Sequence, residues 1–255
     1  MQGCNVSVSS KKAFIYLNSV RARNMPAQSE TMDTAHGMQE APPKMEEKPE
    51  WWASPAVVGL MGFGTTTMIA GLSNLPLPYG AGFGNITGGS PITGNWVVFG
   101  MAVAFGGIAQ LIAGLIALRK GNMFAGSAFV GYGSFWLAFT LMLNVWLIPA
   151  ATAGSSVAWG VAGFAFIWML FTFTFLINAP KHGWGILLVF LFLFIAFLLL
   201  TVKFASLAAG QTTFAPNGSA NWAVGGEIIF DGFLAWYVAT ADLTNWNYGR
   251  KVLPA

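Results

Sequence analysis

Charge is what this sequence has least of. Only 8% of its 255 residues are Asp, Glu, Lys or Arg, against roughly 25% in soluble domains. From Trp51 to Leu118 there is no charged residue at all. No water-facing surface can be assembled from such a run, so that stretch requires lipid around it. A single cysteine, Cys4, excludes an internal disulfide. Two histidines beside that one cysteine form no zinc or haem constellation, and no cofactor is implied. No GxxxxGK[ST] loop is present to support ATP-driven pumping. Nor does any Ser/His/Asp or paired-histidine arrangement point to an enzyme. The formal net charge is only +3 and the basic residues sit mostly near predicted helix ends, so nucleic acid is not an expected partner.

What fills the chain is apolar: 55% hydrophobic residues, with 31 glycines and 22 phenylalanines. Residues 1–50 stand apart as a polar, charge-mixed segment ending in Pro42-Pro43 and the run Lys44 to Glu50, and they read as a disordered cytoplasmic tail. Ala13 to Leu17 is too short for a signal-peptide core of about 7–15 residues, and Met25 and Met32 each offer an alternative start. Residues 51–249 form the expected transport domain, and 250–255 a short C-terminal tail. Six hydrophobic segments are predicted to be helices: Ser54 to Asn74, Trp96 to Leu118, Met123 to Leu147, Ser155 to Asn178, Trp184 to Leu207 and Trp222 to Thr244. Each approaches the ~20 residues that cross a bilayer core. The fold class is therefore an all-α integral membrane protein with six transmembrane helices.

Lysine and arginine orient the bundle. Arg119-Lys120, Lys181 and Arg250-Lys251 follow the second, fourth and sixth segments, while the opposite loops carry none apart from Lys203 at the end of the fifth. That asymmetry places both termini in the cytoplasm, and Lys203 is expected to snorkel to the interface. Glycines at positions 59, 62, 64, 106, 107, 114, 126, 131 and 133 predict tight helix packing, within one subunit or between copies. The Phe164–Phe175 and Phe190–Phe197 stretches read as lipid-facing bulk rather than as a stacking site.

Polar groups inside the predicted spans are the functional candidates. Gln110 stands about two turns before the basic turn, where an amide either joins helices or lines a path. With Tyr132, Asn144, Thr65, Thr66, Thr67 and Thr172 it suggests a narrow, weakly polar passage without a fixed positive charge at its centre. A small carboxylate would cross it by meeting hydroxyls, amides and helix N-termini. Glu227 and Asp231 are spaced i, i+4, and Asp242 falls on the same face. A buried carboxylate costs a few kcal/mol or more at mid-membrane. Asp231 is thus read as a proton-coupling site with Glu227, as a protonated acid bonded within the bundle, or as a partner of Lys203.

The stretch Gly106-Gly107-Ile108-Ala109-Gln110, continuing through Ala113-Gly114-Leu115 and Lys120-Gly121-Asn122 to Tyr132-Gly133-Ser134-Phe135-Trp136-Leu137, resembles the signature region of the succinate–acetate permease, or acetate uptake transporter, family. Pro55 to Gly64 is similar to the family's opening motif, with Ser54 where the family has Asn and Val57 where it has a second Pro. Tyr237 and Gly249 to Pro254 resemble its closing segment. The resemblance covers about Ser54 to Pro254. It implies a six-helix subunit in a homohexamer, each copy with its own path for acetate and related monocarboxylates. It places a hydrophobic constriction at Phe63, Tyr132 and Leu193, a functional glutamine at Gln110, and substrate contacts around Ser54, Pro55, Gly59 and Leu60.

The expected activity is proton-coupled uptake of acetate, and of related monocarboxylates or succinate, at the plasma membrane. Protons, lipid and further copies of the chain are the expected partners. Two alternatives stand beside it: a passive gated channel of the hexameric urea-channel type, and a membrane acetate sensor.

Overall fold

The computed structural model describes residues 53–75, 96–147, 157–214 and 218–254. The 1–50 tail and most of the expected outer loops lie outside the described residues. Every regular element described is helical. The chain runs through α1 (Ala56–Asn74), α2 (Trp96–Val103), a π-helical segment (Ala104–Ala109), α3 (Gln110–Arg119) and α4 (Met123–Leu141) with a second π segment (Met142–Leu147). It continues through α5 (Ala158–Leu176), a 3-10 turn (Ala179–His182), α6 (Trp184–Ala208) and α7 (Ala220–Tyr248).

Among the described residues, five stretches are long and apolar enough to cross a membrane: Ala56–Asn74, Val98–Arg119, Met123–Val145, Ala158–Leu176 and Trp184–Ala208. The protein is a multi-pass membrane protein. Its outward surface agrees, with Ile112, Trp159, Ile167, Leu170, Phe173 and Leu198 all exposed. The last helix, α7, is long enough at 29 residues but carries Glu227, Asp231 and Asp242.

Local chemistry sets the helix ends. The Ala56 N–H donates to Ser54 Oγ at 3.3 Å, so Ser54 caps the first helix, two residues before its first full turn. The basic turn closes through Gly121 at φ 83°, a left-handed conformation that L side chains resist. Asn122 then caps α4, its Oδ1 accepting from the Ala125 N–H at 3.0 Å. The Lys120 ammonium donates to the Ala53 carbonyl, which brings the basic turn to the same end of the bundle as the start of α1.

Glycine sets the closest contact. A Cβ at Gly64 would stand 2.6 Å from the Gly232 carbonyl, and one at Gly232 would stand 2.6 Å from the Gly64 carbonyl. Gly71 and Gly225 repeat that reciprocity one heptad away at 2.8 Å. The two backbones of α1 and α7 therefore touch, as small residues permit in lipid. All nine glycines singled out from the sequence face a neighbouring helix of the same chain in this way, so within the subunit is where they pack.

The phenylalanine runs divide their work. Phe166 and Phe173 are exposed, as expected of lipid-facing bulk, but Phe175, Phe190 and Phe197 are buried. Phe175 and Phe190 stack at 5.4 Å between centroids, and Phe171 and Phe175 lie 5.0 Å apart. The expectation of lipid-facing bulk fails for these rings, because a helix period of 3.6 turns alternate phenylalanines inward. Phe171, Phe175 and Phe190 form the aromatic core that surrounds Tyr132.

Candidate functional site

A cavity of about 250 Å3 enters the bundle at the end that carries the basic turns. Asn122, His182 and Asp242 line it and are exposed, forming its rim; Leu60, Phe63, Gln110, Tyr132, Leu193 and Val238 line it and are buried. Three helix starts meet at the mouth: Ala56 opens α1, Asn122 caps α4, and Ile186 lies in the first turn of α6. A helix start favours an anion, although the Ala56 and Ala125 N–H groups are already taken up by Ser54 and Asn122. Asp242 sets one negative charge against these starts.

The floor is apolar. Phe63 and Tyr132 lie 5.5 Å apart between ring centroids, tilted at 57°. Leu193 of α6 completes the set, and all three side chains are buried. The Tyr132 hydroxyl is 2.9 Å from Thr172 Oγ1 on α5. Thr172 has one proton, and its Oγ1 donates to the Trp168 carbonyl at 2.8 Å. Tyr132 is then the donor to Thr172, and its polar end is engaged by α5. What the ring offers at the floor is its hydrocarbon surface, further hemmed in by Phe171, Phe175 and Phe190.

Gln110 is the polar exception. It is 1% exposed, lines the cavity, and its Oε1 has no hydrogen-bond partner. It follows directly on the π segment, where an added residue per turn re-aims the side chains that come after it. Gly106 in that segment lets Thr66 approach within 2.7 Å of where a Cβ would stand.

The structure thus brings together five residues marked from the sequence, Leu60, Phe63, Gln110, Tyr132 and Leu193. The remaining expected lining residues stand elsewhere. Ser54 is exposed at its cap, with Pro55 beside it, and neither lines the cavity. Gly59 is buried beneath the Phe129 ring. Thr65 and Thr67 donate to the carbonyls of Met61 and Phe63 one turn back. Thr66 is buried against the π segment. Asn144 donates to the Thr140 carbonyl. Thr65, Thr67 and Asn144 thus satisfy themselves on their own backbone and line no part of the cavity, while the buried Thr66 Oγ1 has no hydrogen-bond partner.

The acids of α7 separate. Asp231 is fully buried and both its carboxyl oxygens lack hydrogen-bond partners; Glu227, half-buried, also has both oxygens unpartnered. Lys203 does not pair with Asp231. Its ammonium donates instead to Asn74 Oδ1 at 2.8 Å. Gly232, next to Asp231, packs at the level of Gly64 and Met68, whereas the cavity floor is set by Phe63. Asp231 therefore lies just beyond the level of Phe63, and Asp242, eleven residues on, sits at the rim. Sequence reasoning did not mark Asn122 or His182. His182 stacks on Phe124 at 3.8 Å between centroids, and only the folded turn brings it there.

The profile of the GPR1/FUN34/yaaH family matches residues 37–249. An uncharacterized protein of Methanothermobacter thermautotrophicus is 37% identical over 209 residues, covering 79% of this chain and 90% of that one. The succinate-acetate/proton symporter SatP of Escherichia coli K12 is 34% identical over 202 residues, covering 79% of this chain and 94% of SatP. Among solved structures, the bacterial acetate channel SatP superposes with a TM-score of 0.62 at 29% identity, covering 80% of this chain and 98% of that chain.

Proposed function

The chain belongs to the GPR1/FUN34/yaaH family, and from that premise we propose that it takes up acetate across the plasma membrane together with a proton. Related small monocarboxylates and succinate are the further substrates. The observation that carries this reading is the cavity itself, a polar rim of Asn122, His182 and Asp242 above an apolar floor of Phe63, Tyr132 and Leu193. Hydrated inorganic ions are held back at such a floor because nothing there replaces their water. A two-carbon acid has a methyl group that an apolar floor accepts. The names borne by the relatives point the same way, one a succinate-acetate/proton symporter and one a bacterial acetate channel.

The proposed architecture is six crossings, with α7 as the sixth, both termini cytoplasmic, and a homohexamer in which each subunit keeps its own path. At 1.5 Å per residue α7 is about 43 Å long, ample for a core of about 30 Å. Glu227 and Asp231 are the groups proposed to hold the coupled proton. A second reading, a passive acetate channel, is favoured by the floor, where Phe63, Tyr132 and Leu193 offer buried hydrocarbon surface. Labelled-acetate uptake into proteoliposomes separates the two. Under an imposed proton gradient a symporter accumulates acetate above the external level, and an ionophore abolishes that accumulation. A channel only equilibrates it. Uptake no greater than into empty vesicles would refute transport altogether.

A further inference from the structure

Lys203 does not behave as a snorkelling lysine. A snorkel turns outward along the lipid face toward water. Lys203 is half-buried, and its Nζ reaches from α6 to α1, donating to Asn74 Oδ1 at 2.8 Å. Asn74 is itself aimed: its Nδ2 donates to the Ala70 carbonyl at 2.8 Å, which leaves the amide oxygen facing the lysine. On α6, Lys203 follows Ala196 by seven residues and Leu193 by ten, both buried, and so continues the stripe turned into the bundle. Ten residues place it about 15 Å beyond the Leu193 constriction. It lies toward the end of α6 opposite the basic turns.

That end is otherwise almost free of charge. The segments 75–95, 148–157 and 209–219, which join the helices there, contain no Asp, Glu, Lys, Arg or His. The acids nearest that end are Glu227 and Asp231, and neither forms a hydrogen bond to Lys203. An ammonium has three protons, and Asn74 accepts one of them. The arrangement is a pre-positioned cation on the inward face of the bundle, braced by an oriented amide, with donor capacity in reserve.

We propose that Lys203, braced by Asn74, is the docking site for the carboxylate group of the substrate at the end opposite the basic turns. This rests on the reading of the protein as a carrier or channel for small carboxylates. The chemistry engages one carboxylate group of the substrate. The lysine binds the carboxylate by charge-assisted hydrogen bonds, and the methyl group is left facing the apolar interior that leads to Leu193. Because α1 and α6 each contribute one partner, the site also ties substrate arrival to the two helices that carry Phe63 and Leu193.

The test uses full-length protein, first in proteoliposomes. Lys203→Gln should raise the KM for labelled acetate about tenfold while leaving the maximal rate within about twofold, the scale of a lost charge-assisted hydrogen bond. Lys203→Arg should restore KM to within about twofold. Asn74→Ala, which keeps the charge but removes its brace, is the second variant and should raise KM about threefold. Rising salt should increase the wild-type KM and leave that of Lys203→Gln nearly unchanged. Saturation-transfer NMR of acetate with detergent-solubilised protein reads binding without transport. An unchanged KM in both Lys203→Gln and Asn74→Ala, with the wild type transporting, overturns the docking site alone. A wild type that moves no acetate but whose NMR contact is lost in Lys203→Gln keeps the docking site and overturns the transport reading. Absence of contact in the wild type overturns the site.

Discussion

The hydroxyl of Tyr132 is held 2.9 Å from Thr172 Oγ1, and through Thr172 it is tied to the Trp168 carbonyl. This chain of two hydrogen bonds, buried between α4 and α5, decides which part of Tyr132 the path meets. Thr172→Val keeps the shape but removes the acceptor, leaving a buried hydroxyl that costs about 1–3 kcal/mol if unsatisfied. The unpartnered acceptor lining the same cavity is Gln110 Oε1. The variant is expected to turn the hydroxyl inward, wet the floor and raise the leak of protons measured with an entrapped pH dye. Thr172→Ser should restore a tight floor, and Tyr132→Phe combined with Thr172→Val should leak no more than Tyr132→Phe alone. A Thr172→Val protein with wild-type leak would show that the tether has no part in sealing the path.

The reciprocal approach of Gly64 and Gly232 gives a stability prediction. Gly64→Ala sets a methyl 2.6 Å from the Gly232 carbonyl and 2.8 Å from the Trp236 nitrogen, both backbone atoms that no rotamer change can move. The helices must separate, at a cost of about 1–3 kcal/mol for overpacking. Thermal denaturation in detergent should show a clear loss for Gly64→Ala and Gly232→Ala. At Gly163, where nothing lies within 4 Å of the added methyl, the change to Ala should leave the midpoint unmoved.

Gln110 should separate activity from stability. Its buried Oε1 lacks a hydrogen-bond partner, so the folded state carries part of a desolvation cost of about 1–3 kcal/mol. Gln110→Leu removes that cost and should not lower the melting temperature. It also removes the polar group that stands beside an otherwise apolar floor, and a lost net hydrogen bond of about 1 kcal/mol slows acetate flux about fivefold. Slower flux with unchanged or raised stability is the expected pair of results. Lower stability with unchanged flux would make Gln110 a packing residue.

The sequence made the spans legible because lipid demands long apolar runs, and the six expected segments coincide with the helical stretches to within a few residues. Phe63 and Leu193 were legible only through a resemblance of motifs, since nothing in their spacing separates a cavity-facing side chain from any other buried one, whereas Tyr132 was marked by its hydroxyl, which the fold turns to Thr172. The π segment at Ala104–Ala109 leaves no periodic trace, yet it sets the facing of Gln110. His182 and Asp242 reach the rim through the folding of a turn and the phase of a 29-residue helix. The closing motif, by contrast, has a plain physical reason. Asn245 Oδ1 accepts from the N–H groups of Val252 and Leu253, and the Tyr237 hydroxyl donates to the Pro254 carbonyl, so the segment after Gly249 is pinned back onto α7.

Substitution at Asp231 tests coupled uptake against passive flow. The two structural explanations for a carboxyl group at this depth were a hydrogen bond within the bundle and a pair with Lys203. Neither is present, for both oxygens are unpartnered and the lysine is engaged by Asn74. An uncompensated carboxylate buried at this depth is costly, so a group that binds and releases a proton during each cycle is the reading these contacts favour. Asp231→Asn keeps the size and removes the exchangeable proton. It should exchange labelled for unlabelled acetate across proteoliposomes at close to the wild-type rate, yet fail to accumulate acetate when the outside is made acidic, and fail to acidify the lumen as acetate enters. Glu227→Gln, one turn away, should weaken accumulation without abolishing it. If Asp231→Asn still concentrates acetate under a proton gradient as the wild type does, the proton travels by another route and the carboxyl group has no share in coupling.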